Sequence, residues 1–259
     1  MIEKYLSVVG DPIEHSLSPL IHQVAYEYLG LDWQYDRNLI AKGHLVNFLE
    51  KHKQYSGLSV TMPLKEEAFE FAETKTRTAL DSRVVNTLCL IDGEWQGANT
   101  DIFGLKMCLA RVEMNQIQNI SLLGAGATAR TALVVVSELF PNAAVTIYAR
   151  DETQANSSLS YLHPGFNKNI SEFSGNGDLV LNTTPVDFSH RGAGSKYWLN
   201  VNYSNALGVP PGAKGIDGVE MLIWQAIAQI RIFTQGDEKQ ALAQEAQIVS
   251  KIRAALQLG

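Results

Sequence analysis

Short apolar runs alternate with longer amphipathic ones through the first third of the chain, and the alternation predicts strands alternating with helices. Residues 5–9 form an apolar run that stops at Gly10-Asp-Pro12, a strand running into a turn. A helical pattern covers residues 20–29, with Ser18 placed as N-cap and Pro19 as first helical residue. A strand over 33–37, a helix over 43–52 and a strand over 57–60 follow. The next helix carries Glu66, Glu67, Ala68 and Phe69, with Pro63 fitting its first turn and Lys65 inside it. Such alternation implies a mostly parallel sheet. Residues 84–91 and 95–98 then flank Asp92-Gly93, the dipeptide of a tight hairpin turn. Pairing across that hairpin brings Asn86 near Asp101, at one edge of the sheet.

After a helix-like run at 105–112, the pattern restarts. A strand enters Gly124-Ala-Gly-Ala-Thr-Ala129, and an apolar helix follows over 130–139. Strands are expected at 144–148, from Asp178 to Pro185 with its polar end able to face a cofactor, and at 199–203, with 187–195 reading as a loop. On this count the second unit is shorter than a full six-stranded dinucleotide fold. Residues 219–230 are apolar nearly all round, so that helix should be buried, and an amphipathic helix over about 238–256 should pack on the surface.

Composition narrows the class. At 259 residues, 46% hydrophobic and 19% charged, the chain can bury the core of one large domain or two ordinary ones. A net charge of -6 argues against a non-specific nucleic-acid surface. The first residues run straight into a strand without a basic, then apolar, leader, and no apolar run approaches a bilayer span. A cytoplasmic protein is expected. Cys89 and Cys108 read as two buried structural thiols, and no metal-ligand spacing is present.

Several polar groups stand out against this background. Ser16 and Ser18 lie at a helix start whose free N–H groups could hold a carboxylate, although one of them suffices as a cap. Lys65, a cation in a first helical turn, opposes the helix dipole; it is either a solvated surface lysine or a proton shuttle. Asn99 and Asp101 either cap the helix that follows or face a cleft. Gln225, on the buried helix, is either a satisfied core amide or a partner for a ligand hydroxyl. The Gly124 loop sits between strand and helix, where a pyrophosphate meets a helix N-terminus. Arg150, after the second strand of that unit, favours the 2′-phosphate of NADP, whereas Asp151 favours the ribose hydroxyls of NAD.

Taken together, Gly10-Asp-Pro with Ser16-Leu-Ser-Pro19, Ser59-Val-Thr-Met-Pro-Leu-Lys65, Val85-Asn-Thr87, Gly97-Ala-Asn-Thr-Asp101 with Gly104, the Gly124 loop, and Gly218 with Met221-Leu222 and Gln225 resemble the shikimate dehydrogenase family in order and spacing. The resemblance implies two α/β domains with a cleft between them. Residues 1–101, completed by helices within 219–259, would be the substrate-binding catalytic domain, and 102–218 a Rossmann-like NADP-binding domain. It implies reversible, NADP-dependent reduction of 3-dehydroshikimate to shikimate, a step towards chorismate and the aromatic amino acids, by a monomer or homodimer. Carried over residue by residue, Lys65 and Asp101 would be the catalytic pair. Ser16, Ser18, Ser59, Thr61, Asn86, Tyr203 and Gln225 would hold the substrate. Gly124, Ala125, Gly126, Ala127, Thr128, Ala129, Arg150, Thr183, Gly218 and Met221 would hold NADP.

The chain departs from the family pattern at four places. Ser59 stands where asparagine is commoner, Ser82-Arg83 where a small Gly-Ala pair is usual, Ala127 where the loop has glycine, and Ala149-Arg-Asp151 where Asn-Arg-Thr is usual. Asp151 keeps an NAD-dependent quinate/shikimate dehydrogenase in view, and a non-catalytic shikimate-binding paralogue is the remaining alternative.

Overall fold

A computed structural model describes residues 3–159, 161–162, 167–192, 194–202 and 207–257. The chain divides into two compact units, Met1–Thr100 with Ile223–Gly259, and Asp101–Leu222. The first opens with β1 (Lys4–Gly10), α1 (Ser18–Leu29), β2 (Trp33–Leu39), α2 (Leu45–Lys51), β3 (Tyr55–Val60) and α3 (Lys65–Phe71). It continues through β4 (Thr74–Lys75), α4 (Arg77–Ser82) and the hairpin of β5 (Thr87–Ile91) and β6 (Glu94–Ala98). The sheet order is β2-β1-β3-β5-β6-β4. β1 runs parallel to β2 and β3, while β5 is antiparallel to both β3 and β6. Asp92 and Gly93 both take positive φ, at 52° and 87°, which a two-residue hairpin turn of this twist requires. Val9, Leu58 and Leu88 of the sheet pack with Leu64 and Ala68 in a core of fully buried apolar side chains.

The second unit contains α5 (Asp101–Leu109), β7 (Asn119–Leu123), α6 (Ala127–Leu139), β8 (Ala144–Ala149) and α7 (Glu152–Leu159), then β9 (Asn167–Asn169), β10 (Leu179–Asn182), β11 (Tyr197–Asn200) and β12 (Lys214–Ile216). Its sheet has six strands in the order β12-β11-β10-β7-β8-β9, all parallel. The expectation of a shortened sheet is therefore wrong. β9 and β12 have three residues each, too few for a periodic signal, and Ile216 is the one apolar position in them. The strand expected at 199–203 lies at Tyr197–Asn200, and α5 starts at Asp101 rather than near residue 105.

α8 (Gly218–Gln235) passes from the second unit into the first, and α9 (Glu245–Ala255) packs on α1. The close approach of α8 to β3 is recorded at Gly57, where an added Cβ would lie 2.7 Å from the Phe233 ring. Arg231 forks onto Glu245 with two charge-assisted bonds of 2.6 and 2.7 Å, fixing the segment that leads to α9. That helix begins at Glu245, seven residues later than its amphipathic pattern suggests. Cys89 and Cys108 are buried and free, and burial pushes their thiols up to about 11 and about 12. Among the described residues, no helix is long and apolar enough to cross a membrane.

Candidate active site

The candidate substrate residues of the first unit gather where β1 and β3 end and β5 begins. Backbone bonds tie these ends together. Thr61 N–H donates to Val9 C=O at 3.0 Å, Asp11 N–H to Met62 C=O at 2.9 Å, and Val60 N–H to Asn86 C=O at 2.7 Å. Val85 N–H donates to the Lys65 carbonyl at 3.1 Å, so the backbone of Lys65 is joined to the residue before Asn86. Lys65 is the first residue of α3, not an interior one, and Pro63 lies outside that helix. Its side chain is half-buried.

At the head of α1 the roles of the two serines are the reverse of those expected. Ser18 is the first helical residue rather than the N-cap, and Ser16 Oγ accepts the Ser18 N–H at 3.3 Å. Ser18 is buried and Ser16 half-buried. A hydroxyl pair at a helix N-terminus suits a carboxylate.

Asn86 is the best-determined group of the site. It is 2% exposed, and its carboxamide orientation follows from what surrounds it. The Thr100 N–H, which can only donate, reaches Asn86 Oδ1 at 2.8 Å, and the Thr87 hydroxyl donates to the same oxygen at 2.8 Å. The nitrogen must therefore face the other way, and Asn86 Nδ2 donates to Gln225 Oε1 at 3.4 Å. Asn86 Nδ2 also donates to Thr100 Oγ1 at 2.9 Å. With Gln225 Oε1 accepting, the NH₂ of Gln225 is its donor end. Thr100 sets this orientation and was missed by sequence reasoning; a threonine directly before Asp101 carries no signal of its own.

Asp101 is 5% exposed and heads α5, one residue beyond Thr100. Asn99 does not cap that helix; its Nδ2 donates to Ser82 Oγ at 2.8 Å. Ser82 is buried there, so the departure from a small Gly-Ala pair supplies a hydrogen-bond partner to the Asn-Thr-Asp segment. Ser59 is 4% exposed; its hydroxyl donates to Gln229 Oε1 at 2.7 Å and accepts from the Tyr35 hydroxyl at 2.6 Å. Tyr203 lies outside the described residues.

The second unit carries the features a dinucleotide needs. Strand order reverses at β7 and β10, and ligands of open parallel sheets bind at the carboxyl ends of strands at such a point. Gly124 follows β7 with φ of 111°, and an added Cβ would lie 2.4 Å from Thr183 Oγ1. Thr183 follows β10 and bonds back to the Leu123 carbonyl through its hydroxyl at 2.6 Å. Gly126 is the N-cap of α6 with no side-chain cap, and the space beside it is open. Ala127, Thr128 and Ala129 form the first turn of α6, so a methyl at Ala127 is absorbed by the helix. Gly124 N–H donates to the Tyr148 carbonyl at 2.9 Å, which brings the end of β8, and exposed Arg150 after it, alongside this loop. Asp151 occupies the N-cap position of α7, where its carbonyl accepts the Ala155 N–H at 3.0 Å and an acidic residue is favoured. Gly218 leaves no room for a side chain, 2.3 Å from the Asn200 carbonyl, and Met221 is buried in the unit's core. A cradle that a Cβ would fill, beside an uncapped helix N-terminus and an arginine, fits a phosphorylated dinucleotide.

The model of the shikimate dehydrogenase substrate binding domain matches residues 8–88. A shikimate dehydrogenase (NADP(+)) of Prochlorococcus marinus subsp. pastoris is 30% identical over 268 residues, spanning 90% of this chain and 93% of that one. One from Methanococcoides burtonii is also 30% identical, with the same coverage. The crystal structure of Mycobacterium tuberculosis shikimate dehydrogenase shares the fold with a TM-score of 0.81, at 28% identity, over 97% of this chain and 99% of that one. With these relatives along nearly its full length, the chain belongs to the shikimate dehydrogenase family.

Proposed function

We propose that this chain catalyses the reversible, NADP-dependent reduction of 3-dehydroshikimate to shikimate. The observation that carries the reading is the buried Asn86–Gln225 amide pair, hydrogen-bonded to each other, at the sheet end that also bears Ser16, Ser18, Thr61 and Lys65. Ser16 and Ser18 take the substrate carboxylate at the head of α1, with Tyr203 as a further contact, and Thr61, Asn86 and Gln225 bind the ring hydroxyls. The resemblance adds Ser59 to this group, but its hydroxyl proton goes to Gln229. The Gly124 loop, Thr128, Thr183 and Arg150 hold NADP, with Gly218 and Met221 contributing.

Held by these residues, NADPH would supply hydride to the carbonyl carbon, and NADP would serve as the hydride acceptor for the reverse reaction. As negative charge develops on the carbonyl oxygen, Lys65 Nζ donates the proton that makes it a hydroxyl; in oxidation the lysine accepts it back. Asp101 orients that hydroxyl. The enzyme works in the cytoplasm, as a monomer or homodimer, on the path to chorismate. Residues 1–101 with 219–259 serve as the substrate domain and 102–218 as the cofactor domain.

The test is the initial rate of shikimate oxidation by the purified protein with NADP and with NAD. Strong preference for NADP is expected. Preference for NAD would move the assignment to quinate/shikimate oxidation, with Asp151 reading the ribose. No rate with either, alongside shikimate binding in a titration, would make the protein a non-catalytic paralogue.

Arg150 gives a sharper check. Arg150→Ala is expected to raise the KM for NADP about tenfold or more, because a charge-assisted phosphate contact is lost. The KM for NAD should stay within about twofold, since no 2′-phosphate is there to read. An unchanged ratio of the two cofactor constants would assign the phosphate to another residue.

A further inference from the structure

The hydrogen bonds that fix Asn86 continue behind it, away from the site, and converge on one fully buried side chain. Gln229 is 1% exposed and lies one helical turn beyond Gln225 on the same face of α8. Its Nε2 donates to the Asn86 carbonyl at 3.1 Å and to Thr87 Oγ1 at 3.0 Å. Because the carbonyl can only accept, the amide orientation is fixed, and Oε1 faces Ser59 Oγ at 2.7 Å and His22 Nε2 at 3.3 Å. His22 therefore carries its proton on Nε2, and its Nδ1 accepts from the Tyr26 hydroxyl at 2.8 Å. All four hydrogen-bonding positions of Gln229 are used.

The polarity of this chain of bonds matters more than its length. Gln229 donates to Thr87, so the single Thr87 proton is free to go to Asn86 Oδ1. That bond helps to hold Asn86 with Nδ2 towards Thr100 Oγ1 and Gln225. Ser59 has one hydroxyl proton, and Gln229 Oε1 receives it. Ser59 consequently has no proton left to give a substrate hydroxyl.

We propose that Gln229 is a positioning residue for substrate recognition, and that Ser59 influences the substrate only through it. The proposal rests on the reading of Asn86 as a shikimate ligand, and the shikimate turnover of the unsubstituted protein tests that reading separately. Gln229→Met, Ser59→Ala and the double variant are compared by KM and kcat for shikimate, KM for NADP, and Tm. Gln229→Met is expected to raise the shikimate KM about tenfold and Ser59→Ala about threefold, the scale of one or two hydrogen bonds lost or loosened. The KM for NADP and kcat should stay within about twofold, and adding Ser59→Ala to Gln229→Met should raise the shikimate KM no further. Gln229→Glu, which keeps both acceptor contacts, guards against a Gln229→Met chain that fails to fold. Its shikimate KM should improve as pH falls, because a protonated carboxyl regains a donor towards Asn86 and Thr87. If Ser59→Ala raises the KM by the same factor in both backgrounds, Ser59 touches the substrate itself and the proposal fails. It also fails if Gln229 variants lower Tm and leave the shikimate KM unchanged.

Discussion

In Lys65→Ala, kcat for shikimate oxidation is expected to fall by about 10²- to 10⁴-fold, the range associated with losing a positioned general acid–base. The shikimate KM should move by no more than a few fold. The Lys65 carbonyl receives the Val85 N–H at 3.1 Å, and alanine keeps that bond. Asn86 is therefore expected to remain in place. Removing a cation from the first residue of α3 also relieves its conflict with the helix dipole, and alanine is the better helix former. Turnover near the parent level would take the proton-transfer role away from Lys65. A fall in kcat accompanied by a large loss of substrate affinity would make it a binding residue instead.

The second large effect concerns acid stability. Burial pushes the His22 imidazole down from 6.5 to about 3, partly offset by its bond to Gln229. The ring stacks on Tyr35 at 4.0 Å between centroids and is fully enclosed. The unfolded chain takes up a proton at His22 below about pH 6.5 that the folded chain refuses until near pH 3. His22 thus contributes no penalty above about 6.5, and stability is lost as pH falls from there towards 3. Each pH unit in that window is expected to cost about 1.4 kcal/mol from this group alone. Urea unfolding of the parent and of His22→Gln at pH 7.5, 6 and 5 tests it. The glutamine variant keeps a donor for Gln229 but does not titrate, so its stability should fall less steeply with acid by about that slope. Parallel pH dependences would mean that another group governs acid unfolding.

Much of this was legible beforehand, for reasons that can be given residue by residue. The hairpin was fixed by Asp92-Gly93, whose two positive φ values few other dipeptides tolerate. The Gly124 loop was found because its conformation and its closeness to Thr183 demand glycine. Local rules stopped short where a partner lay far along the chain. Ser18 looked like an N-cap because serine before proline usually is one, yet Ser16 takes the N–H. Asp151 looked like a cofactor reader, yet it heads α7. Strands β9 and β12 escaped because three residues cannot display an alternation. Gln229 was hidden in an apolar helix, although a second glutamine four residues after Gln225 was the available signal. Two amides one turn apart on a helix otherwise built for burial imply polar work on the covered side.

The return of α8 to the first unit also bears on how the protein is made. The groups that lock Asn86 are separated from it by 139 and 143 residues of chain, and His22 is separated from Gln229 by 207. During synthesis the sheet of the first unit emerges complete, but Ser59, Thr87 and the Asn86 carbonyl gain their bonds to Gln229 only after the whole second unit is translated. Contacts of such separation form late. The ribosome thus delivers Asn86 with its Thr87 and Thr100 bonds but without its glutamine partners, and the last helices to leave the exit tunnel complete the site. A chain cut short within the second unit would carry Lys65, Asp101 and the glycine loop and still lack Gln225 and Gln229.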